Sequence, residues 1–247
     1  MGSQLRVWRD AWRLHTWTPR DEQAASFYRQ FVQPGDLCFD IGANHGNRTK
    51  VFRRLGASVV AVEPQDSCMA VLRSAYCWDS NVRLVGAACG DQPGTATIRI
   101  AGSDVLSTMS ADWIADMRVS RRFGDTEWSR EQPCKVTTLD ALMASFGVPA
   151  FIKIDVEGYE LQVLRGLSRV VRCLSFEFVP ERLKRTQQCI DRLTELGFSE
   201  FNLSIGESFS LIQARWMGAD ALPGAVATLG PAEFGDVYAR SESFSWQ

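Results

Sequence analysis

"LCFDIGANHGN", residues 37–47, is the stretch that decides the fold. An apolar run closes on Asp40-Ile41-Gly42, and only "ANH" separates Gly42 from Gly46. A short apolar run ending in glycine reads as a buried strand. Behind it, "NRTKVFRRLG" (47–56) sets Val51, Phe52 and Leu55 on one helical face and stops at Gly56. The pattern then repeats. "SVVAVEP" (58–64) is a second buried strand halted by Pro64, "QDSCMAVLRSAY" (65–76) a second helix, and "VRLVGAACGD" (82–91) a third strand. This order predicts an α/β protein whose parallel sheet is covered by helices on both faces.

Downstream, "AFIKIDVEG" (150–158) and "CLSFEFV" (173–179) read as buried strands. They flank a helix in "YELQVLRGLSRVV" (159–171), and "PERLKRTQQCIDRLTELG" (180–197) is a helix opened by Pro180 and closed by Gly197. "EFNLSI" (200–205) and "FSLIQARWM" (209–217) follow so closely that they are expected to pair as an antiparallel hairpin. "GTATIRIAG" (94–102) alternates like an exposed strand. Residues 103–134 look irregular, as a lid or binding loop does.

A chain of 247 residues fits one large α/β domain. A net charge of −2 gives no footprint for nucleic acid. Seven cysteines without a Cys-x-x-Cys pair argue against a disulfide framework or a zinc site and for a reducing cytosol. No apolar run is long enough to span a membrane, and "MGSQLRVWRDAWRLH" has no signal-peptide core. Leu5, Trp8 and Trp12 share one face of a helix between residues 4 and 17, with Arg6, Arg9 and Arg13 elsewhere. Such a helix suits a membrane surface, but the reading preferred here is that the tryptophans cap the chain's own core.

Ligands of open parallel sheets bind beyond the carboxyl ends of the strands. Gly42 and Gly46 let the backbone turn and approach a ligand, and the next helix offers its amides to a negative group. The dinucleotide spacing Gly-x-Gly-x-x-Gly is absent: its middle glycine is missing, and Ala43 and Asn44 would crowd a pyrophosphate. Asp40 repels phosphate and suits an amine. An amine and a carboxylate together describe an amino-acid moiety. Glu63, at the end of the second strand, is placed to accept ribose hydroxyls. An amino acid joined to a ribose is S-adenosylmethionine.

"FDIGANHGN", "VVAVEP", "VTTLDAL", "IKIDVEGYELQVLRGL" and "LSFEF" together resemble the FkbM-type methyltransferases of the class I S-adenosylmethionine-dependent superfamily. The resemblance runs from about Asp36 to Phe209. It implies a Rossmann-like, mostly parallel seven-stranded sheet with one antiparallel strand, and methylation of a hydroxyl on a small molecule, sugar or glycan. On this reading residues 1–30 form an N-terminal helical segment, 31–217 the methyltransferase domain with its lid-like insertion 103–134, and 218–247 a C-terminal tail. The donor residues are Asp40, Gly42, Ala43, Asn44, Gly46, Thr49, Glu63, Pro64 and Ala88.

Methyl transfer to an alcohol needs a base within hydrogen-bond reach. Lys153, Asp155 and Glu157 alternate along one strand and are expected on one side of it. Glu177 interrupts the apolar "LSFEFV", which burial penalises unless it has a partner. Asp155, Glu177, Glu157 and Lys153 are therefore the catalytic candidates. Nothing in their spacing demands a metal, although grouped acids suit Mg²⁺ or Ca²⁺. Two rival functions remain: a nicotinamide-dependent oxidoreductase, and an S-adenosylmethionine-binding protein without catalysis.

Overall fold

The computed structural model describes residues 2–230, 233–242 and 244. In chain order its elements are α1 (Gly2–Leu14), α2 (Pro19–Tyr28), β1 (Leu37–Ile41), α3 (Asn47–Arg54), β2 (Ser58–Val62), α4 (Asp66–Tyr76), β3 (Val82–Val85), β4 (Ala88–Cys89), β5 (Gly94–Ile100), α5 (Ala111–Ser120), β6 (Arg130–Thr137), α6 (Leu139–Phe146), β7 (Phe151–Ile154), α7 (Glu160–Arg165), β8 (Cys173–Phe178), α8 (Leu183–Leu196), β9 (Glu200–Ile205), α9 (Leu222–Ala227) and β10 (Gly235–Arg240).

Seven strands form the main sheet in the order β3-β2-β1-β7-β8-β10-β9. The first five run parallel, and β10 is antiparallel to both its neighbours. Successive residues of the buried strands feed two cores, as the period-two pleat requires. Phe39, Ile152 and Leu174 pack with Leu142, Leu164 and Leu193 of α6, α7 and α8. Cys38, Phe151 and Cys173 pack with Tyr28 and Phe52 of α2 and α3. Burial on both faces is why these strands read as nearly continuous apolar runs. Thr18 starts α2 through a reciprocal capping box with Asp21, and Pro19 occupies the first turn, where its missing N–H costs nothing.

Three segments differ from the sequence reading. The third strand ends at Val85, and Ala88–Cys89 join a second sheet, β4-β6-β5, instead. The expected hairpin does not form. Residues 200–205 and 209–217 meet in an isolated backbone bridge, Phe201 to Met217, and in a hydrogen bond from the Ile212 amide to the Leu203 carbonyl, and form no continuous ladder. The long partner of β9 is β10, from the stretch beyond Gly218 that the sequence leaves unplaced. Gly235 admits it: a Cβ there would lie 2.1 Å from the Ser204 carbonyl oxygen. Residues 103–134 pack around a small core shared with Val179, in which Trp113 meets Trp128 edge to face at 5.9 Å.

The N-terminal tryptophans also behave differently. Helix α1 packs on α4 through Val7, Ala11 and Leu14, while Trp8 and Trp12 point to solvent and cap no core.

Candidate active site

The loop from β1 to α3 is built around two glycines. Gly42 has φ +80°, and a Cβ on it would lie 1.8 Å from the Asp155 carbonyl oxygen. The β1–α3 loop and the loop after β7 therefore touch through backbone, which only glycine allows. Gly46, at φ +88°, caps α3, and a Cβ there would meet Leu72 at 2.7 Å.

A cavity of about 340 Å³ opens at the carboxyl ends of β1, β2, β7 and β8. Asp40, Gly42, Ala43, Asn44, Glu63, Pro64 and Ala88 line it, and so do Asp155, Glu157 and Glu177. Gly46 and Thr49 stand behind the wall; the Thr49 hydroxyl donates to Asp40 Oδ2 at 2.6 Å. Burial pushes the Asp40 carboxyl above its ordinary value, against that hydrogen bond.

Glu63 is buried at the end of β2 and accepts from the Asn44 amide at 2.8 Å and the Gln65 amide at 2.7 Å. Those bonds favour its charged form, but burial outweighs them and raises its pKa to about 7.

Strand β7 ends at Ile154, so Asp155 and Glu157 belong to a turn and not to a continued strand. Glu157 sits at φ +51° and Gly158 at φ +85°. The Thr108 hydroxyl holds the turn by donating to the Glu157 carbonyl at 2.6 Å, and Trp113 fills the space where a Gly158 Cβ would stand. Even so, the turn brings carboxylate oxygens of Asp155, Glu157 and Glu177 within 4.8 Å of one another. Burial, and then the neighbouring acids, raise the pKa values of Glu157 and Glu177 well above the usual carboxylate range. Oxygen donors at this spacing have the chemistry that holds Mg²⁺ or Ca²⁺.

Lys153 is 1% exposed and does not line the cavity. Its Nζ donates to Asp236 Oδ1 at 2.8 Å and lies 3.3 Å from Asp155 Oδ2. Burial alone would strip its charge, but Asp155 and Asp236 outweigh burial and hold it protonated. It reaches the site only through Asp155, and Glu177 gains no direct bond from it. Glu160 accepts from the Gly158 amide at 2.9 Å, a local structural bond.

Sequence reasoning did not identify Arg48, Gln65, Asp104, Val105, Thr108 and Glu207, all of which line the cavity. Arg48 pairs with Glu207 at 3.0 Å. Two buried atoms among these residues have no hydrogen-bond partner, Arg48 Nε and Gln65 Oε1. Of the titratable groups on the cavity wall, Asp40, Glu63, Asp104, Asp155, Glu157, Glu177 and Glu207 are acidic, and Arg48 is the basic one among the described residues.

An open sheet with a ligand cavity beyond its parallel strand ends defines a Rossmann-like nucleotide- or nucleoside-binding protein. The family described as Methyltransferase FkbM domain matches residues 40–200, and the chain belongs to it. It is an S-adenosylmethionine-dependent methyltransferase. No curated protein matches the chain. Among solved structures it is similar to precorrin-6y C5,15-methyltransferase from Geobacter metallireducens, at 11% identity and TM-score 0.47, covering 89% of this chain and 88% of that one. A TehB-like methyltransferase from Corynebacterium glutamicum gives 11%, 0.45, 89% and 88%. A putative methyltransferase from Streptococcus mutans in complex with SAH gives 12%, 0.41, 91% and 99%. These likenesses are distant in both sequence and shape.

Proposed function

We propose that this methyltransferase acts on a hydroxyl oxygen of a small molecule, sugar or glycan. The observation that carries this reading is the convergence of Asp155, Glu157 and Glu177 in the cavity that the donor loop lines. When bound, S-adenosylmethionine supplies an electrophilic methyl group on a positively charged sulfur. The acidic wall favours such a cation and repels a diphosphate, which weighs against a nicotinamide dinucleotide.

Asp40 faces the amino group of the methionine moiety, and the Arg48 guanidinium its carboxylate. Glu63 accepts from the ribose hydroxyls, and Pro64 and Ala88 border the adenine. Asp155 and Glu177 face the acceptor. Glu177, once ionised, takes the hydroxyl proton as the new bond forms; a raised pKa makes it the stronger base. Lys153 holds Asp155 in place. The seven cysteines are free, which suits a reducing cytosol, and no described helix is long and apolar enough to cross a membrane. Transfer of isotopically labelled methyl to hydroxyl-bearing acceptors, with NMR of the product, tests the reading. A methyl ether is expected, and a methylated nitrogen or carbon would overturn it.

Glu63 gives a pH prediction. Its ordinary pKa is 4.5 and its folded value about 7. The folded chain thus binds this proton more tightly, so the group's contribution to stability is present below pH 4.5 and is lost as pH rises through about 7. Donor binding has the opposite sign, because a ribose diol donates to the ionised carboxylate. Affinity for S-adenosylhomocysteine should be roughly tenfold weaker at pH 6 than at pH 8, and Glu63→Gln should flatten the dependence. An unchanged pH profile in that variant would place the ribose elsewhere.

Arg48 gives a second prediction. A hydrogen bond to a charged group contributes about 1.5–3 kcal/mol. Arg48→Met should weaken S-adenosylhomocysteine binding roughly 10–100-fold and leave adenosine binding unaltered. Equal losses for both ligands would remove Arg48 from the carboxylate.

A further inference from the structure

Helix α1 carries a face that none of the described residues covers. Leu5, Trp8 and Trp12 fall at spacings of three and four residues, so they form one stripe. Trp8 and Trp12 are each 68% exposed, on the side away from α4. Exposed arginines flank the stripe: Arg6, Arg9 and Arg13. The helix's one acid, Asp10, is buried and takes Arg9 at 3.1 Å and Arg13 at 3.4 Å. Two residues beyond α4, whose last turn packs with Leu14, Trp78 stands 95% exposed.

We infer that this face docks on a membrane surface containing anionic lipids. Indole rings suit the headgroup boundary, where the ring meets acyl carbon and the N–H meets a polar group. Guanidinium groups bind phosphate through two parallel hydrogen bonds. The pairs with Asp10 and Asp104 are exposed on the arginine side, so water and salt weaken them and phosphate competes readily.

Charge identifies the occupant and the orientation. Residues 4–14 carry +2 on a chain of net −2, so the remainder carries −4. An anionic surface therefore attracts this helix and repels the rest of the molecule, which fixes the way it docks. A second copy of the chain is a poor partner. A two-fold contact through the stripe would set six arginines against one another. The helix abuts the cavity wall through Arg6 and Asp104, 3.6 Å apart, so docking turns one edge of the cavity toward the headgroups.

Vesicle co-sedimentation of the full chain tests this. Vesicles of phosphatidylcholine alone are compared with an equal mixture of phosphatidylcholine and phosphatidylglycerol, at low and high salt. The chain should bind the mixture at least about tenfold more tightly, and salt should weaken that binding. Arg9→Gln/Arg13→Gln should lose roughly fivefold per arginine. Trp8→Ser/Trp12→Ser should lose about tenfold or more on both compositions. S-adenosylhomocysteine affinity, measured alongside, reports that each variant is folded. Equal failure of the wild-type chain to bind either vesicle overturns the inference. So does light scattering that shows a dimer abolished by the tryptophan pair, which would assign the stripe to a second copy.

Discussion

Replacing Glu177 with Gln, or Asp155 with Asn, should lower methyl transfer by about 10²–10⁴-fold while S-adenosylhomocysteine still binds. The two exchanges keep volume and shape and remove the ability to take a proton. Both side chains line the cavity, and their oxygens share one 4.8 Å cluster with Glu157. Residues that act on one proton are strongly non-additive, so the double variant should be little slower than the worse single one. Single-turnover rates with labelled donor provide the readout. Wild-type rates in both variants would remove the carboxylates from the chemistry. Retained cellular function with donor binding intact would favour a binding protein without catalysis.

The second large effect falls on stability as well as on ligand affinity. Gly42→Ala should cost about 3–5 kcal/mol, because it combines backbone strain at φ +80° with a Cβ placed 1.8 Å from the Asp155 carbonyl oxygen. For a chain of this length that is a fall in Tm of roughly 6–20 °C. Relief requires the β1–α3 loop and the turn after β7 to separate, which pulls the donor side of the cavity away from the carboxylates. Donor binding should therefore drop even where the variant remains folded. Differential scanning calorimetry with and without S-adenosylhomocysteine separates the two losses. A variant with unchanged Tm and unchanged affinity would mean that the two loops are not locked together.

The sequence reveals most where burial leaves one option. Strands β1, β2, β7 and β8 lie inside the sheet with apolar neighbours on both faces, so each reads as a run that only a fully buried strand tolerates. Asp40, Glu63 and Glu177 are visible for the opposite reason: Asp40 and Glu63 place a charge at or near the end of such a run, and Glu177 interrupts one. Strand β10 is hidden because its flank is rich in Gly, Ala and Pro, and because its partner β9 lies about thirty residues upstream; the nearer segment 209–217 looks like the better match by proximity alone. Arg48 and Gln65 are also hidden. Each sits in the opening residues of a stretch that reads as a helix, and only the packed structure shows that Arg48 Nε and Gln65 Oε1 are buried without partners among the described residues. The tryptophans of α1 mislead, because apolar spacing on a helix does not say which of two faces meets the core. Val7, Ala11 and Leu14 are smaller and sit closer to α4, and they win that contact.

The period-two rule is informative even where the strand stops. Lys153 lies opposite Asp40 and Ser175 in the sheet, and Glu177 lies opposite Asp236. A polar row thus crosses four strands on one face, and Asp155 extends it past the end of β7. Only the turn at Glu157 and Gly158 breaks the alternation, and it does so to bring Glu157 back over the same cavity.

Every role proposed above requires that the acid-walled cavity hold an amino-acid nucleoside at the β1–α3 loop. Calorimetric titration of the full chain with S-adenosylhomocysteine, in the absence and presence of saturating NAD⁺, tests it directly. One-to-one binding that NAD⁺ leaves unchanged is the predicted result. Heat released on NAD⁺ addition, with none on S-adenosylhomocysteine addition, would contradict it.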